Sequence, residues 1–255
     1  MTKDTSKKGT ASAADQQALA VVPVEDGGFL ALVDEDGAEM LKEAAPTPSD
    51  LNKLVTPSGS SGAFFTIETL EGEKPVKELI VVFAWESPVE RSFYATGIDE
   101  GGDGPPHCSS ADGSTGYGTR DVEAIQGGAP IEDLPHSEQD CKTCPFAQYG
   151  SALGGGNGQA CKQRVRVVVF DQESLLPMVL QIPAASLKEF RRYKMLLLGN
   201  RLRASQVATR ISLLKVSGSP DYYKMQFDFQ RKLTEGEGQR LAGLAKVLAD
   251  SASAS

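Results

Sequence analysis

The four cysteines of this 255-residue chain all fall between Cys108 and Cys161. Cys141 and Cys144 form a C-x-x-C pair, a spacing that lets two sulfurs bind one metal ion. Cys108 lies upstream in a glycine-rich region, and Cys161 begins the next apolar segment. We expect the four thiolates to close a tetrahedral zinc shell that leaves no position open for catalysis. Such a zinc is structural, because it replaces core that a glycine-rich insert does not supply.

Two alternatives to zinc stay open at this point. The cysteines could form disulfides or remain unconnected, although no signal peptide is visible and we expect no oxidising compartment. A redox C-x-x-C normally opens a helix in a thioredoxin-like unit, whereas Pro145 and a glycine-rich loop follow here. His107 and His136 could each replace one thiolate, but we expect both to be surface loop residues.

Charge is distributed unevenly along the chain. The formal net charge is −8, which taken alone disfavours a nucleic-acid partner. Residues 161–232, however, contain fourteen Lys or Arg and five Asp or Glu, a local charge of +9 that leaves −17 for the rest. Such asymmetry indicates polyanion binding by one segment, with a solvated basic face as the plain alternative.

Strand patterns begin after residue 60. Residues 63–70, 77–85 and 91–96 are apolar runs joined by short turns, which is typical of an antiparallel meander or barrel. Residues 164–170 alternate as a strand should, with three valines on one face and two arginines, with Phe170 beyond them, on the other. Residues 178–182 are the expected hairpin partner of this strand.

The remaining segments predict two helices and two more strands. Ser186 and Glu189 have the spacing of a capping box, which predicts a helix over 187–198 that ends at Gly199-Asn200. Strands are expected at 207–216 and 222–231. Thr234 and Glu237 form a second capping box at the start of a final helix.

These patterns predict an α+β protein that is mainly antiparallel β. We expect an oligonucleotide-binding (OB) barrel at 61–250, with a zinc-binding loop insert at 97–161 and one or two packed helices. Another antiparallel α+β sandwich is the alternative. Residues 1–60 are expected to be a flexible or docking arm that is acidic after residue 25, and 251–255 a disordered tail.

A protein that binds single-stranded nucleic acid needs cations for the phosphates and aromatic rings for the bases. For each candidate the plain alternative is core packing for a ring and ordinary surface charge for a cation. The candidate stacking rings are Trp85, Phe93, Tyr94, Phe146, Tyr149 and Tyr222. The candidate phosphate contacts are Lys162, Arg164, Arg166, Arg191, Arg192, Arg201, Arg203, Arg210 and Lys224.

Four segments carry a family resemblance: Cys108–Gly113, Cys141–Phe146, Gly158–Lys162 and Ile182–Lys188. With them, residues 63–249 resemble phage- and prophage-borne single-stranded DNA-binding proteins that hold zinc in an OB barrel. The resemblance implies a role in phage or mobile-element replication or recombination, in the cytoplasm of a bacterial host, with replication or recombination proteins as partners. It also departs from this group, because the chain ends in Ala249–Ser255 instead of a strongly acidic tail.

An enzyme is not expected. Four thiolates leave zinc no open position, and no nuclease-like set of carboxylates stands out. His136-Ser137-Glu138 matches the H-x-E of zinc deaminases, but it lies almost against Cys141, which Asp140 precedes where that signature needs proline. The remaining alternative is a zinc-stabilised scaffold that does not bind DNA. No apolar run reaches membrane-span length. The sequence does not decide whether the ligand is DNA or RNA, or whether the chain forms an oligomer.

Overall fold

A computed structural model describes part of the chain, with side chains up to residue 246. Most of the predicted arm at 1–60 lies outside it. The described residues are 39–40, 43–44, 46, 50–57, 63–69, 71–95, 105–153, 155, 157–171, 177–218 and 221–253.

The secondary structure of the described residues is mainly strand. The strands are β1 (Lys53–Leu54), β2 (Phe65–Thr69), β3 (Gly72–Val76), β4 (Glu78–Glu86), β5 (Glu90–Phe93), β6 (Cys108–Ser110), β7 (Thr115–Gly118), β8 (Ser137–Asp140), β9 (Cys161–Phe170), β10 (Met178–Pro183), β11 (Val207–Val216) and β12 (Tyr222–Lys232). The α-helices are α1 (Val122–Gln126), α2 (Ala184–Gly199) and α3 (Glu235–Ser253), with short 3-10 turns at Ile131–Asp133, Pro145–Ala147 and Ala204–Gln206. Helix α3 thus covers the first three residues of the predicted tail.

Strand β9 is the centre of the main sheet. One of its edges pairs with β10, and its other edge pairs first with β5 and then with β4. From β4 the sheet continues through β11 to β12, and from β5 it continues through β6 and β7 to β8. Within the described residues every pairing is antiparallel except that of β1 with β10. The prediction of a mainly antiparallel α+β fold is therefore confirmed.

The inner face of the sheet, which carries the three alternating valines of β9, holds the main core. Val165, Val167 and Val169 are buried there, as the alternation predicts. Helix α2 covers this face, and its Phe190 ring meets Phe83 of β4 edge to face at 5.8 Å. Aromatic packing of this kind adds to the burial of apolar area. The helix therefore belongs to the core of the domain.

The outer face, which carries Arg164 and Arg166, is covered at one end by α3. Leu241 and Leu244 of this helix pack on Val82 and Phe170. The predicted second capping box is confirmed at its start. The Thr234 amide donates to Glu237 Oε2 at 2.7 Å, and the Glu237 amide donates to Thr234 Oγ1 at 3.3 Å.

The capping box predicted at Ser186 is wrong. Helix α2 begins at Ala184, three residues earlier than predicted, and Ser186 is buried in its first turn. Its Oγ accepts a hydrogen bond from the Met225 amide at 3.0 Å, which ties α2 to β12. A buried hydroxyl needs such a partner, so tertiary packing decides its role. The predicted helix end is confirmed: Asn200 caps α2, and Arg201 adopts φ 58°.

The prediction that the insert at 97–161 is all loop is also wrong, because Cys108–Gly118 forms the hairpin β6–β7. Glycines make the close pairing possible, since a Cβ on Gly118 would meet the His107 carbonyl oxygen at 2.2 Å. Glycine carries no apolar signal, so alternation could not reveal these strands. The insert thus extends the sheet through β8.

No closed barrel is detected among the described residues. Strand β12 pairs with β11 alone and β1 with β10 alone, so the two ends of this half of the sheet do not pair with each other. Helix α2 packs against both β12 and β10 and spans the space between them.

Candidate metal centre and cationic sheet face

The sheet register brings two distant cysteines to one place. Cys108 on β6 and Cys161 on β9 each pair directly with Phe93 on β5, one from either side. Directly paired residues share a face, so both thiols lie on the Phe93 side of the sheet. Cys141 and Cys144 follow β8 in a turn and line the same small cavity. The four predicted ligands are therefore brought together.

All four cysteines are buried and none forms a disulfide. A Cβ on Gly116 would lie 3.3 Å from Cys108 Sγ and 3.4 Å from Cys141 Sγ, so the absence of a side chain on β7 makes room for sulfur. Within the described part of the chain, no group of three or more His, Cys, Asp or Glu is placed to hold a metal ion. The thiols surround one cavity without forming a coordination shell. Their chemistry suits zinc, which prefers thiolate donors.

The thiols influence one another electrostatically. The pKa of Cys161 is raised to about 11, chiefly by burial; Arg91 lowers it, and the neighbouring thiols raise it. Burial likewise raises the pKa of Cys108, with Arg120 acting in the opposite direction. Thiolates crowded in this cavity repel each other, and a cation among them relieves that repulsion.

Arg120, which no sequence motif marks, lies against the four cysteines. Its Nη1 donates to Cys144 Sγ at 3.1 Å, and its Nη2 donates to the side-chain oxygen of Gln139. Arg91 lines the cavity as well. No spacing rule connects these arginines with the cysteines, because only the successive pairing of β5, β6, β7 and β8 brings them close.

Neither histidine lines the cavity. The prediction of a surface position is wrong for His107, which the pairing of β5 with β6 buries. Its Nδ1 accepts from the Ala95 amide at 3.3 Å, and burial lowers its pKa. His136 is exposed, as predicted, and stacks on Tyr117 with ring centroids 6.0 Å apart.

The outer face of β9 presents alternating cations beside an exposed ring. Lys162, Arg164 and Arg166 lie on this face, and Val168 further along pairs with Trp85 of β4. Trp85 is therefore on the same side, with 55% of its surface exposed. A bulge between Phe83 and Trp85 brings the ring onto this face, because regular alternation would turn it inward.

Two of these cations share one carboxylate. Glu90 is buried, and it lies 3.4 Å from Arg164 Nε and 2.7 Å from Arg166 Nε. The three side chains together carry a net charge of +1. The shared carboxylate fixes both guanidinium groups on the face while leaving them partly exposed, which lowers the entropy lost on meeting a phosphate.

The β11–β12 hairpin continues the outer face beyond α3. Register pairs Arg210 with Asp228, and Leu214 with Lys224, so both cations lie on this side. Lys224 Nζ lies 5.8 Å from the centre of the Tyr222 ring, which is partly exposed. A cation and a ring are thus presented together.

The predicted phosphate contacts do not form one surface. Arg191 and Arg192 are exposed on α2, which covers the inner face, so they lie across the sheet from Arg164 and Arg166. Arg201 and Arg203 are exposed in the loop between α2 and β11. The strand cations and the α2 cations are therefore two separate groups.

The predicted stacking rings also divide. Phe93 is wrong as a stacking residue, because it is 1% exposed and its ring packs on Phe146 at 4.5 Å. Tyr94 is half-buried, whereas Tyr149 is 84% exposed. Tyr117 is 64% exposed, and no sequence pattern marks it, because its glycine-rich segment is typical of a loop.

Comparison of the chain with family models, curated proteins and solved structures gave no match. None of the helices in the described regions is both long and apolar enough to span a membrane.

Proposed function

We propose that this chain is a single-stranded DNA-binding protein that serves replication or recombination of a phage or mobile element without catalysing a reaction. The observation that carries the proposal is the outer face of β9, where Lys162, Arg164 and Arg166 alternate along the strand and the exposed Trp85 pairs with it further on, at Val168. Cations for phosphates next to a ring for a base are what sequence-tolerant binding of single strands needs.

The proposed fold is an OB barrel that is partly open. The strand order β12-β11-β4-β9-β10, with α2 between β10 and β11, supports this, since the OB-fold is a five-stranded and partly open Greek-key barrel. In this scheme β4 and β9 are the first two barrel strands. The insert between them then occupies a loop that OB-folds use to contact nucleic acid.

The proposed cofactor is one structural zinc ion held by Cys108, Cys141, Cys144 and Cys161. Four buried thiols at one cavity fit it, and no disulfide competes for them. Bound zinc would fix the turn after β8 against the start of β6 and β9. Independently of zinc, the pairing of β5 with β9 holds the insert beside the cationic face.

Fluorescence anisotropy of labelled oligonucleotides tests the proposal. With about three to five phosphates contacted, the slope of log affinity against log salt should be about −2 to −4 for single strands. Oligo-dT should bind more tightly than a duplex of the same length, and oligo-rU decides between DNA and RNA. Absence of binding to any oligonucleotide at low salt overturns the proposal and favours the scaffold alternative.

A further inference from the structure

We propose that Arg91 and Arg120 are positioning residues that neutralise the four-cysteine centre and so set its affinity for zinc. This inference rests on the zinc centre proposed above. It concerns residues outside the cysteine framework and gives them a role that can be measured separately.

Charge balance is the reason such cations are needed. Four thiolates and one divalent ion carry a net charge of −2, and a buried net charge is costly unless opposite charges compensate it. Arg91 and Arg120 both line the cavity of the cysteines. Their two guanidinium groups bring the centre to neutrality.

Arg120 is held in place for direct contact with sulfur. Its Nη1 donates to Cys144 Sγ at 3.1 Å, and its other terminal nitrogen donates to Gln139 on β8. Hydrogen bonds to ligand sulfur are the kind of outer interaction that orients and stabilises metal ligands. The bond to Gln139 keeps the guanidinium from turning away.

Arg91, on β5, lines the same cavity. Its terminal nitrogens are engaged, because the Gln163 side-chain oxygen, turned toward them, accepts from Nη2 at 2.6 Å. Its Nε is buried and has no acceptor among the described residues. An unpaired donor of this kind is costly, and a nearby thiolate would relieve that cost. A charged centre in the cavity therefore explains why an arginine is kept there.

Lys142 provides a contrast within the same turn. It lies between Cys141 and Cys144 in sequence, yet it is exposed and does not line the cavity. Water screens its charge, so its removal should have little effect on the centre. It is therefore the matched control for loss of one positive charge.

The test measures zinc affinity of the full chain by competition with a chelator. Arg120→Met and Arg91→Met should each weaken zinc binding about 10- to 100-fold, whereas Lys142→Met should change it less than about threefold. Arg120→Lys, which keeps the charge, should recover part of the loss. Equal affinities for Arg120→Met, Arg91→Met and the wild-type chain overturn the inference.

A second readout separates charge compensation from ordinary packing. With zinc bound, Arg120→Met should lower the thermal midpoint, but in chelator it should leave the midpoint unchanged or raise it. An equal loss with and without metal means a merely structural role and overturns the inference. Cobalt substitution distinguishes the two proposals. A four-thiolate spectrum and a metal affinity that are unchanged in the arginine variants refute only the role of the arginines. Absence of any cobalt–thiolate band in the wild-type chain refutes the centre itself.

Discussion

Replacing Trp85 with alanine is the sharpest test of the DNA-binding face. A base stacked on an aromatic side chain contributes about 1–3 kcal/mol. Trp85 is 55% exposed, so a base can cover about half of its surface and the lower part of that range, about 1–2 kcal/mol, applies. Because each 1.4 kcal/mol is a factor of ten, the dissociation constant for oligo-dT should rise about 5- to 30-fold.

Anisotropy titration of labelled oligo-dT measures this change, and Tyr117→Ala is the control. Tyr117 is even more exposed, but its register partner on β8 is Glu138, which repels phosphate. The control should bind within about twofold of wild type, and the salt slope of Trp85→Ala should be unchanged because no cation is lost. Equal losses of oligo-dT affinity in both variants, or no loss in Trp85→Ala, would refute the proposal that single-stranded DNA binds to this face.

Three further substitutions test other parts of the structure. Gly116→Ala places a methyl group against two cysteine sulfurs and should weaken zinc binding by about 1–3 kcal/mol in chelator competition, unlike Gly158→Ala, whose methyl has ordinary space. Arg201→Gly should raise the free energy of unfolding in urea by about 0.5–1 kcal/mol, because it relieves a left-handed φ; a loss would contradict this. Glu237→Gln keeps the cap but loses the ion pair with Arg231, and should cost about 1–2 kcal/mol at neutral pH in urea unfolding.

The last of these effects should depend on pH. Burial alone would raise the pKa of Glu237, but its hydrogen bonds with Arg231 and Thr234 outweigh burial and hold the pKa below its ordinary value. A lowered carboxyl pKa gives stability that is full above the unfolded value and is lost as pH falls through the folded one. Wild type and Glu237→Gln should therefore converge in acid, and a constant gap down to pH 2 would contradict the ion pair.

The sequence predicts the regular strands well, because period-two alternation is a local signal. Val165, Val167 and Val169 are buried and Arg166 is exposed, as their spacing requires. The start of the final helix is predicted as well, because Thr234 and Glu237 form both hydrogen bonds of the capping box. The four cysteines line one cavity, and the zinc shell expected from C-x-x-C and two outlying thiols stays a prediction.

The features that sequence could not give depend on long-range pairing. Ser186 has the spacing of a cap, but β12 takes its hydroxyl as a partner. The hairpin β6–β7 relies on glycines for close approach, which look like loop residues in a sequence. Arg120 reaches Cys144 across 24 positions, a contact that no motif encodes. Phe93 is aromatic and near cations in sequence, yet the pairing of three strands buries it.

Photo-cross-linking of oligo-dT to the unmodified chain, followed by mass spectrometric mapping, tests the central claim most directly. Zero-length cross-links form only where a base touches a side chain. We predict adducts on Trp85, with Tyr222 and the cations of β9 as further sites. Adducts confined to β7 and β8 or to α2 would contradict the proposed binding face.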